Sequence, residues 1–282
     1  MELKKGVFVA KKKNGEIYYR ASFNYKGKHI SLGSFADEDT AHKAYLEAVM
    51  LTNTPSFTIE RYTDSNILNF EKWVSVINFR DNGIYFKNPI YLRPKYFEYY
   101  IDRDWPYKFD ADDLFYYSNH KIMRRGGHLF VADYGMQVNI LNRYGIKNYA
   151  VKDKDYIFMN GDSYDFRYEN IKIVNRYTGV TKILKNGREE YVCKIHINGD
   201  YLVGKYKNEE DAAVAYNKAV DALVSNGIKI NYTKNYIEAL NEKTYKEKYE
   251  SVKISKKLMN FKCENMKERL FEAKNKKYGN LS

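Results

Sequence analysis

The chain has 282 residues, with 48 Lys+Arg against 36 Asp+Glu, a formal net charge of +12, and 44 % hydrophobic residues. That apolar share can fill a core, so wholesale disorder is excluded, and the length fits about two domains. No apolar run approaches the roughly 20 residues of a membrane span, and Met1 is followed by Glu2-Leu3-Lys4-Lys5 rather than a signal-peptide core. Two cysteines, Cys193 and Cys263, are too few for a disulfide framework and point to a reducing interior. The basic excess points to an anionic partner, nucleic acid before an acidic membrane. The 29 tyrosines have a second reading, because Lys, Asn, Tyr, Ile and Phe are all residues of A/T-rich codons. Where the charge sits therefore decides its meaning.

Residues 1–60 open with a unit that recurs near the other end of the chain. The first copy runs Lys5-Gly6-Val7, Tyr18-Tyr19-Arg20-Ala21-Ser22-Phe23, His29-Ile30-Ser31-Leu32-Gly33-Ser34-Phe35 and Thr40-Ala41-His42-Lys43-Ala44-Tyr45. Tyr19, Ala21 and Phe23 alternate with Arg20, Ser22 and Asn24, the period-2 pattern of a half-buried strand. Asn14-Gly15 and Lys26-Gly27 stand at hairpin positions. Acids at 37–39 suit the first turn of a helix, whose Ala41, Ala44, Tyr45 and Ala48 stripe would pack on the sheet.

Residues 61–109 are aromatic and weakly periodic and read as a linker, with Trp73 and Trp105 expected in a core or a docking contact. Residues 110–175 carry Asp110-Ala111-Asp112-Asp113, Gly127-His128-Leu129-Phe130-Val131, Asp155-Tyr156 and then Asn160-Gly161-Asp162-Ser163-Tyr164-Asp165-Phe166-Arg167-Tyr168-Glu169-Asn170-Ile171.

Residues 176–233 hold the second copy of the unit. It runs Thr178-Gly179-Val180, Tyr191-Val192-Cys193-Lys194-Ile195, Leu202-Val203-Gly204-Lys205-Tyr206 and Asp211-Ala212-Ala213-Val214-Ala215-Tyr216, with Asn186-Gly187 and Asn198-Gly199 at the turns. Each copy predicts three short strands and a helix. In both, charge separates between them: residues 1–35 hold eight basic and two acidic residues, and 36–50 one against four. Residues 175–207 hold seven against three, and 208–222 one against four. The sheet is the side expected to face an anion. Residues 234–282 read as a basic helical tail with 13 basic and seven acidic residues. An apolar stripe through Ile237, Leu240, Tyr245, Tyr249, Val252, Leu258, Phe261, Met266 and Leu270 would let it wrap onto DNA, dock on the body or pair two chains.

The Gly-Val, aromatic-x-Ala-x-apolar, Leu-Gly-x-Phe and Ala-x-x-Ala-Tyr elements of the first copy resemble the Apetala/ethylene-response-factor DNA-binding domain. The second copy is looser, with Val203-Gly204-Lys205-Tyr206 and with Cys193 in the small-residue slot. The resemblance implies a three-stranded antiparallel sheet in the major groove and a helix packed behind it. The outward strand positions Arg20, Ser22, Asn24, His29 and Ser31, and Lys194, His196 and Leu202, then become candidates for base edges. Lys11, Lys12, Lys13, Lys26, Lys28, Lys182, Lys185 and Arg188 suit phosphates.

The Asn160-Gly161-Asp162 and Asp165-x-Arg167-x-x-Asn170-Ile171 run resembles the HNH endonuclease module that phage and intron homing enzymes couple to Apetala-type domains. That chemistry needs a histidine general base, ligands for a divalent metal, and a middle Asn that orients the histidine. Here Tyr156 stands in the place of the histidine, Phe166 replaces the middle Asn, and the preceding histidine is replaced near Asn139. Asp155 and Asn170 remain of the ligand set. No histidine lies between His128 and His196, and a tyrosine with an ordinary pKa near about 10 is a poor base at neutral pH. Asp155 and Asp165 leave room for a weakly held metal, and His120 or His128 with Arg124 and Arg125 for a relocated site. The simpler reading of Lys121, Arg124 and Arg125 is that they hold DNA.

The architecture expected is α+β: two small sheet-plus-helix DNA-binding domains flanking a degenerate HNH-like (ββα-metal) domain, with a helical tail. The function expected is sequence-specific binding of double-stranded DNA by an inactive relative of mobile-element homing endonucleases. It would act by occupancy as a transcriptional regulator, most simply a repressor, in the cytoplasm of a prokaryotic or phage-infected cell. No metal or other cofactor is expected, and Mg²⁺ enters only if the chain is a working nuclease with an atypical base. A homodimer through the tail is the further partner.

Overall fold

The computed structural model describes residues 3–228 and 232–261. Contacts divide the chain into two compact units, 1–140 with 158–171, and 141–157 with 172–282. The structure is mixed α and β, built on several small antiparallel sheets and a few helices.

The first unit opens with β1 (Val7–Lys11), β2 (Ile17–Tyr25) and β3 (Lys28–Phe35), a meander in the order β1-β2-β3. Helix α1 (Glu38–Asn53) packs behind it. Asp37 caps that helix by accepting the Thr40 N–H at 2.7 Å, with Glu38 and Asp39 in the first turn, as the local sequence demands. Ala21, Phe23, Ile30 and Leu32 meet Ala41, Ala44, Ala48 and Leu51 in one buried cluster.

Residues 61–109 are not a linker. Asn69 caps α2 (Phe70–Asn82), in which Trp73 through Phe79 are all buried and which packs on α1. A helix apolar or small all round has no polar face, so its period is invisible in the sequence. The chain continues into β4 (Ile90–Leu92), β5 (Tyr96–Tyr99) and β6 (Tyr107–Asp110), a second meander. Trp73 is a core residue whose Nε1 donates to the Thr58 carbonyl at 3.2 Å. Trp105 is not: it is 61 % exposed and stacks on Tyr164. The unit is completed by α3 (Leu114–Asn119) and by a meander of β7 (Ile122–Arg125), β8 (His128–Asp133) and β9 (Met136–Asn139).

β10 (Tyr156–Phe158) and β11 (Ile171–Ile173) form a two-stranded ribbon. Only residues 174–179 then separate β11 from the next strand, so the helix of a ββα order does not follow the ribbon. The stretch expected as one domain, 110–175, is divided between the two units.

The second unit repeats the opening meander with β12 (Val180–Lys185), β13 (Arg188–His196) and β14 (Asp200–Tyr206), backed by α4 (Glu209–Ser225), whose cap Asn208 accepts the Asp211 N–H at 2.8 Å. The two copies agree in detail. Each has a register break one residue past its buried small side chain, at Ala21/Ser22 and at Cys193/Lys194. In each the N–H after the break donates to a glycine carbonyl before the first strand, Ser22 to Gly6 at 3.0 Å and Lys194 to Gly179 at 2.8 Å. Those two glycines have φ near +80° and +75°, and a Cβ on either would lie 2.1 Å or 2.3 Å from the ring of Tyr45 or Tyr216. Only glycine admits both that dihedral and that approach.

Tail residues 232–261 dock on the body of their own unit, one of the three alternatives the sequence left open. Only α5 (Glu242–Ser251) and the single turn α6 (Lys256–Met259) are helical. Lys218 donates to the carbonyls of Tyr249 and Val252, the Ser255 N–H donates to the Val203 carbonyl at 2.8 Å, and Ile237, Leu258 and Phe261 are buried in the core. Met266, Leu270 and Cys263 lie outside the described residues. Among the described residues no helix is long and apolar enough to cross a membrane.

Candidate nucleic-acid interface

On the first sheet the side away from α1 is set by register. Phe8, Arg20 and Ser34 form one cross-strand row, Ser22 and Ser31 the next, and Asn24 and His29 the last before the turn. Arg20, Asn24, His29 and Ser31 are exposed together on this face. Ser22 is not: the bulge at Ala21/Ser22 interrupts the alternation and leaves it 7 % exposed. Phe8, exposed beside Arg20, was not singled out although it alternates with buried Val7. Lysines bracket the face at both ends. Lys11, Lys12 and Lys13 lie at the β1–β2 end, where Lys12 pairs with Glu16 at 2.8 Å. Lys26 and Lys28 lie at the β2–β3 end, and Lys26 donates to the Arg80 carbonyl at 3.1 Å. A groove of about 900 Å³ borders the face, lined by Lys28, His29 and Ser31 and by Lys72 and Lys87. Those last two lysines come from the stretch expected to be a linker, where no periodicity marks them.

The second sheet presents a different outer face. Thr181, Val192 and Lys205 form one row, Lys194 and Leu202 another, and His196 and Asp200 the last. Acids sit among its bases. On this face Lys205 pairs with Glu190 at 3.6 Å and His196 with Asp200 at 3.0 Å, and off it Lys182 pairs with Glu189 at 2.5 Å. The hydrogen bond from Lys182 holds the Glu189 carboxyl below its usual range, and that from His196 does the same for Asp200. By register Lys182 shares the helix side with Tyr191 and Tyr206 rather than the outer face. Lys185 and Arg188 face each other beside the Asn186-Gly187 turn, both exposed. A groove of about 520 Å³ runs between this face, at Thr181, Val192 and Lys194, and the loop 147–155, which adds Lys154.

Arg124 and Arg125 lie on β7. Arg124 is engaged by Asp102 in a two-pronged ion pair, while Arg125 is exposed opposite His128. His120 stacks on Tyr116 at 4.2 Å and faces Asp133 at 3.5 Å, and His42 donates through Nδ1 to the Lys5 carbonyl at 2.9 Å.

The positions singled out by the nuclease-like run do structural work. Asp155 and Tyr156 fall in the second unit, and Asp165, Phe166 and Asn170 in the first. Asp155 is buried, pairs with Lys147 at 3.1 Å and accepts the Val151 N–H at 2.8 Å. Tyr156 is buried, which holds its phenol above the usual range and makes proton loss harder. Asp165 is buried and receives Arg167 Nε at 2.9 Å, Arg167 Nη2 at 2.6 Å and Asn160 Nδ2 at 2.9 Å. Burial pushes its carboxyl up, but these donors outweigh burial and leave it lowered. Phe166 packs with Tyr107, Phe109 and Phe158. Asn170 accepts the Asn160 N–H at 2.8 Å and donates to the Asp165 carbonyl at 2.8 Å. Among the described residues no three His, Cys, Asp or Glu side chains converge in a way that could hold a metal ion. Comparison of the chain with protein-family models, with curated proteins and with solved structures finds no match.

Proposed function

We propose that this chain binds double-stranded DNA in a sequence-dependent way through its two sheet-plus-helix modules and acts by occupying the site rather than cutting it. The observation that carries this reading is the recurrence of one module with the same bulge, glycine–tyrosine contact and capped helix, whose free sheet face bears side chains suited to base edges between clusters of lysine. The major groove admits a β-ribbon two strands wide, and the resemblance implies a three-stranded sheet laid along it with the flanking lysines toward phosphates. Occupancy of a promoter makes repression the simplest outcome. The descent from mobile-element homing endonucleases rests on the sequence resemblance.

Cutting a phosphodiester requires a base to deprotonate water and a cation to stabilise the leaving oxygen. The groups at the nuclease-like positions are engaged instead by Lys147, Arg167 and Asn160. The test is footprinting of the full chain on genomic DNA, followed by incubation of the bound site with Mg²⁺ or Mn²⁺. Protection of a discrete duplex without strand breaks is the expected result. A metal-dependent break abolished by Asp155→Ala or Asn170→Ala would overturn occupancy in favour of an endonuclease with an atypical base. Absence of any protected duplex would overturn DNA binding itself.

A further inference from the structure

We propose that one histidine in each sheet, His29 and His196, reads the exocyclic amine of a base through the lone pair on Nε2, and that its cross-strand partner fixes which nitrogen does so. This rests on the double-stranded DNA reading above. In the first sheet the last outward pair before the turn is Asn24 and His29, and the His29 Nδ1 lies 3.0 Å from the Asn24 Oδ1. In the second sheet the same place is taken by His196 and Asp200, and the His196 Nδ1 lies 3.0 Å from the Asp200 Oδ1. The buried pairs next to them, Phe23 with Ile30 and Ile195 with Tyr201, fix the equivalence.

The histidine has changed strands between the copies, from β3 to β13. What recurs is the pair: an exposed imidazole whose Nδ1 is held by an oxygen. An oxygen of this kind accepts, so the proton of the neutral ring belongs on Nδ1. The lone pair is then on Nε2, the nitrogen outside the pair. In the major groove that acceptor matches the N4 amine of cytosine or the N6 amine of adenine and is mismatched with guanine O6 and N7 and with thymine O4. Asn24 and Asp200 are therefore positioning residues, and the two modules share one element of their code although the rest of their faces differ.

The test is selection of binding sites from a randomised duplex library by the full chain at pH 8. Two separate positions should be restricted to adenine or cytosine, each with about 2- to 12-fold discrimination from its single hydrogen bond. His29→Leu should erase one restriction and leave the other, and His196→Leu the reverse, in proteins whose thermal melting matches the parent. Asn24→Leu should relax the His29 position although the histidine is intact, while Asp200→Asn, which keeps an oxygen acceptor, should preserve the His196 position. Guanine or thymine at these positions, or a selected site that neither histidine substitution alters, would overturn the inference and leave the DNA reading standing. Failure to enrich any duplex would overturn both.

Discussion

The two sheet-plus-helix modules are alike inside and unlike outside. Their interiors agree in the bulge, the glycine carbonyl that receives the N–H beyond it, the helix cap and the tyrosine against the glycine. Their outer faces diverge. The first shows Arg20, Asn24, His29 and Ser31 with no carboxylate in its outward rows, while the second interleaves Lys205 with Glu190 and His196 with Asp200 and exposes Leu202. Packing constrains the interior in both copies, whereas the face answers only to what it touches. If the chain binds DNA as proposed, that difference makes the first module the stronger electrostatic anchor.

The largest expected effect tests the shared interior. Gly179→Ala places a Cβ 2.3 Å from the Tyr216 ring and 2.4 Å from the Lys194 carbonyl oxygen, which belongs to the sheet backbone. At Gly6 the nearest atoms are those of Tyr45, whose ring can swing although its Cβ, 2.9 Å away, cannot. With a left-handed residue and overpacking together, Gly179→Ala should cost about 3 kcal/mol of unfolding free energy and Gly6→Ala about 2. Denaturant titration measures both. A loss under about 1 kcal/mol at Gly179 would show that the glycine–tyrosine contact does not set the module.

Next in size is the asymmetry of the outer faces. Arg20→Ala should weaken binding of the selected duplex by about 1–3 kcal/mol, because an unpaired guanidinium on the first face is lost. Lys205→Ala should cost only a few tenths, since Glu190 already neutralises it. Equal losses in fluorescence-anisotropy titrations would break the comparison. The converse sharpens it. Glu190→Gln should release Lys205 and steepen the salt dependence of log K by about 1. The pH limits follow from sign. The Glu189 and Asp200 carboxyls are held below their usual range, so their pairs persist above the ordinary carboxyl pKa of about 4 and are lost only as pH falls through the lowered values. Salt slopes of the parent chain should therefore show no contribution from these carboxyls between pH 6 and 8.

The same contrast explains what the sequence could and could not tell. Strands, caps and turns of the modules are legible because each obeys a local rule: Tyr19-Ala21-Phe23 alternate, Asp37 and Asn208 cap, and Lys26-Gly27 and Asn186-Gly187 take the left-handed turn their strands need. The reading failed where tertiary packing overrides such rules. Buried Trp73 through Phe79 erase the helical period of α2, and the bulge leaves Ser22 buried within an outward row. The apolar tail residues that are described are divided: Tyr245 and Tyr249 lie on α5 and Leu258 on α6, while Ile237, Val252 and Phe261 lie on non-helical chain that Lys218 and Val203 help to hold. At the nuclease-like positions the residue types were readable, but not that Lys147 closes on Asp155, a contact eight residues apart across a loop with Tyr149 and Asp153 in left-handed conformations.

The smallest effect probes the small-residue slot beneath the bulge. Ala21 fills it in the first module and Cys193 in the second, both fully buried. If the slots are equivalent, Cys193→Ala should cost no more than about 1 kcal/mol, the transfer and cavity terms of one sulfur. A much larger cost would mean that the second module has been repacked around the thiol. Burial pushes the Cys193 thiol up to about 12, so at pH 8 it remains protonated and inert. In a Cys263→Ser background, alkylation of Cys193 then reports only openings of the second module, because β13 must leave α4 before the sulfur can ionise. Labelling slowed in parallel with added duplex would show that DNA stabilises the second module, and labelling indifferent to duplex at saturating first-module occupancy would confine binding to the first.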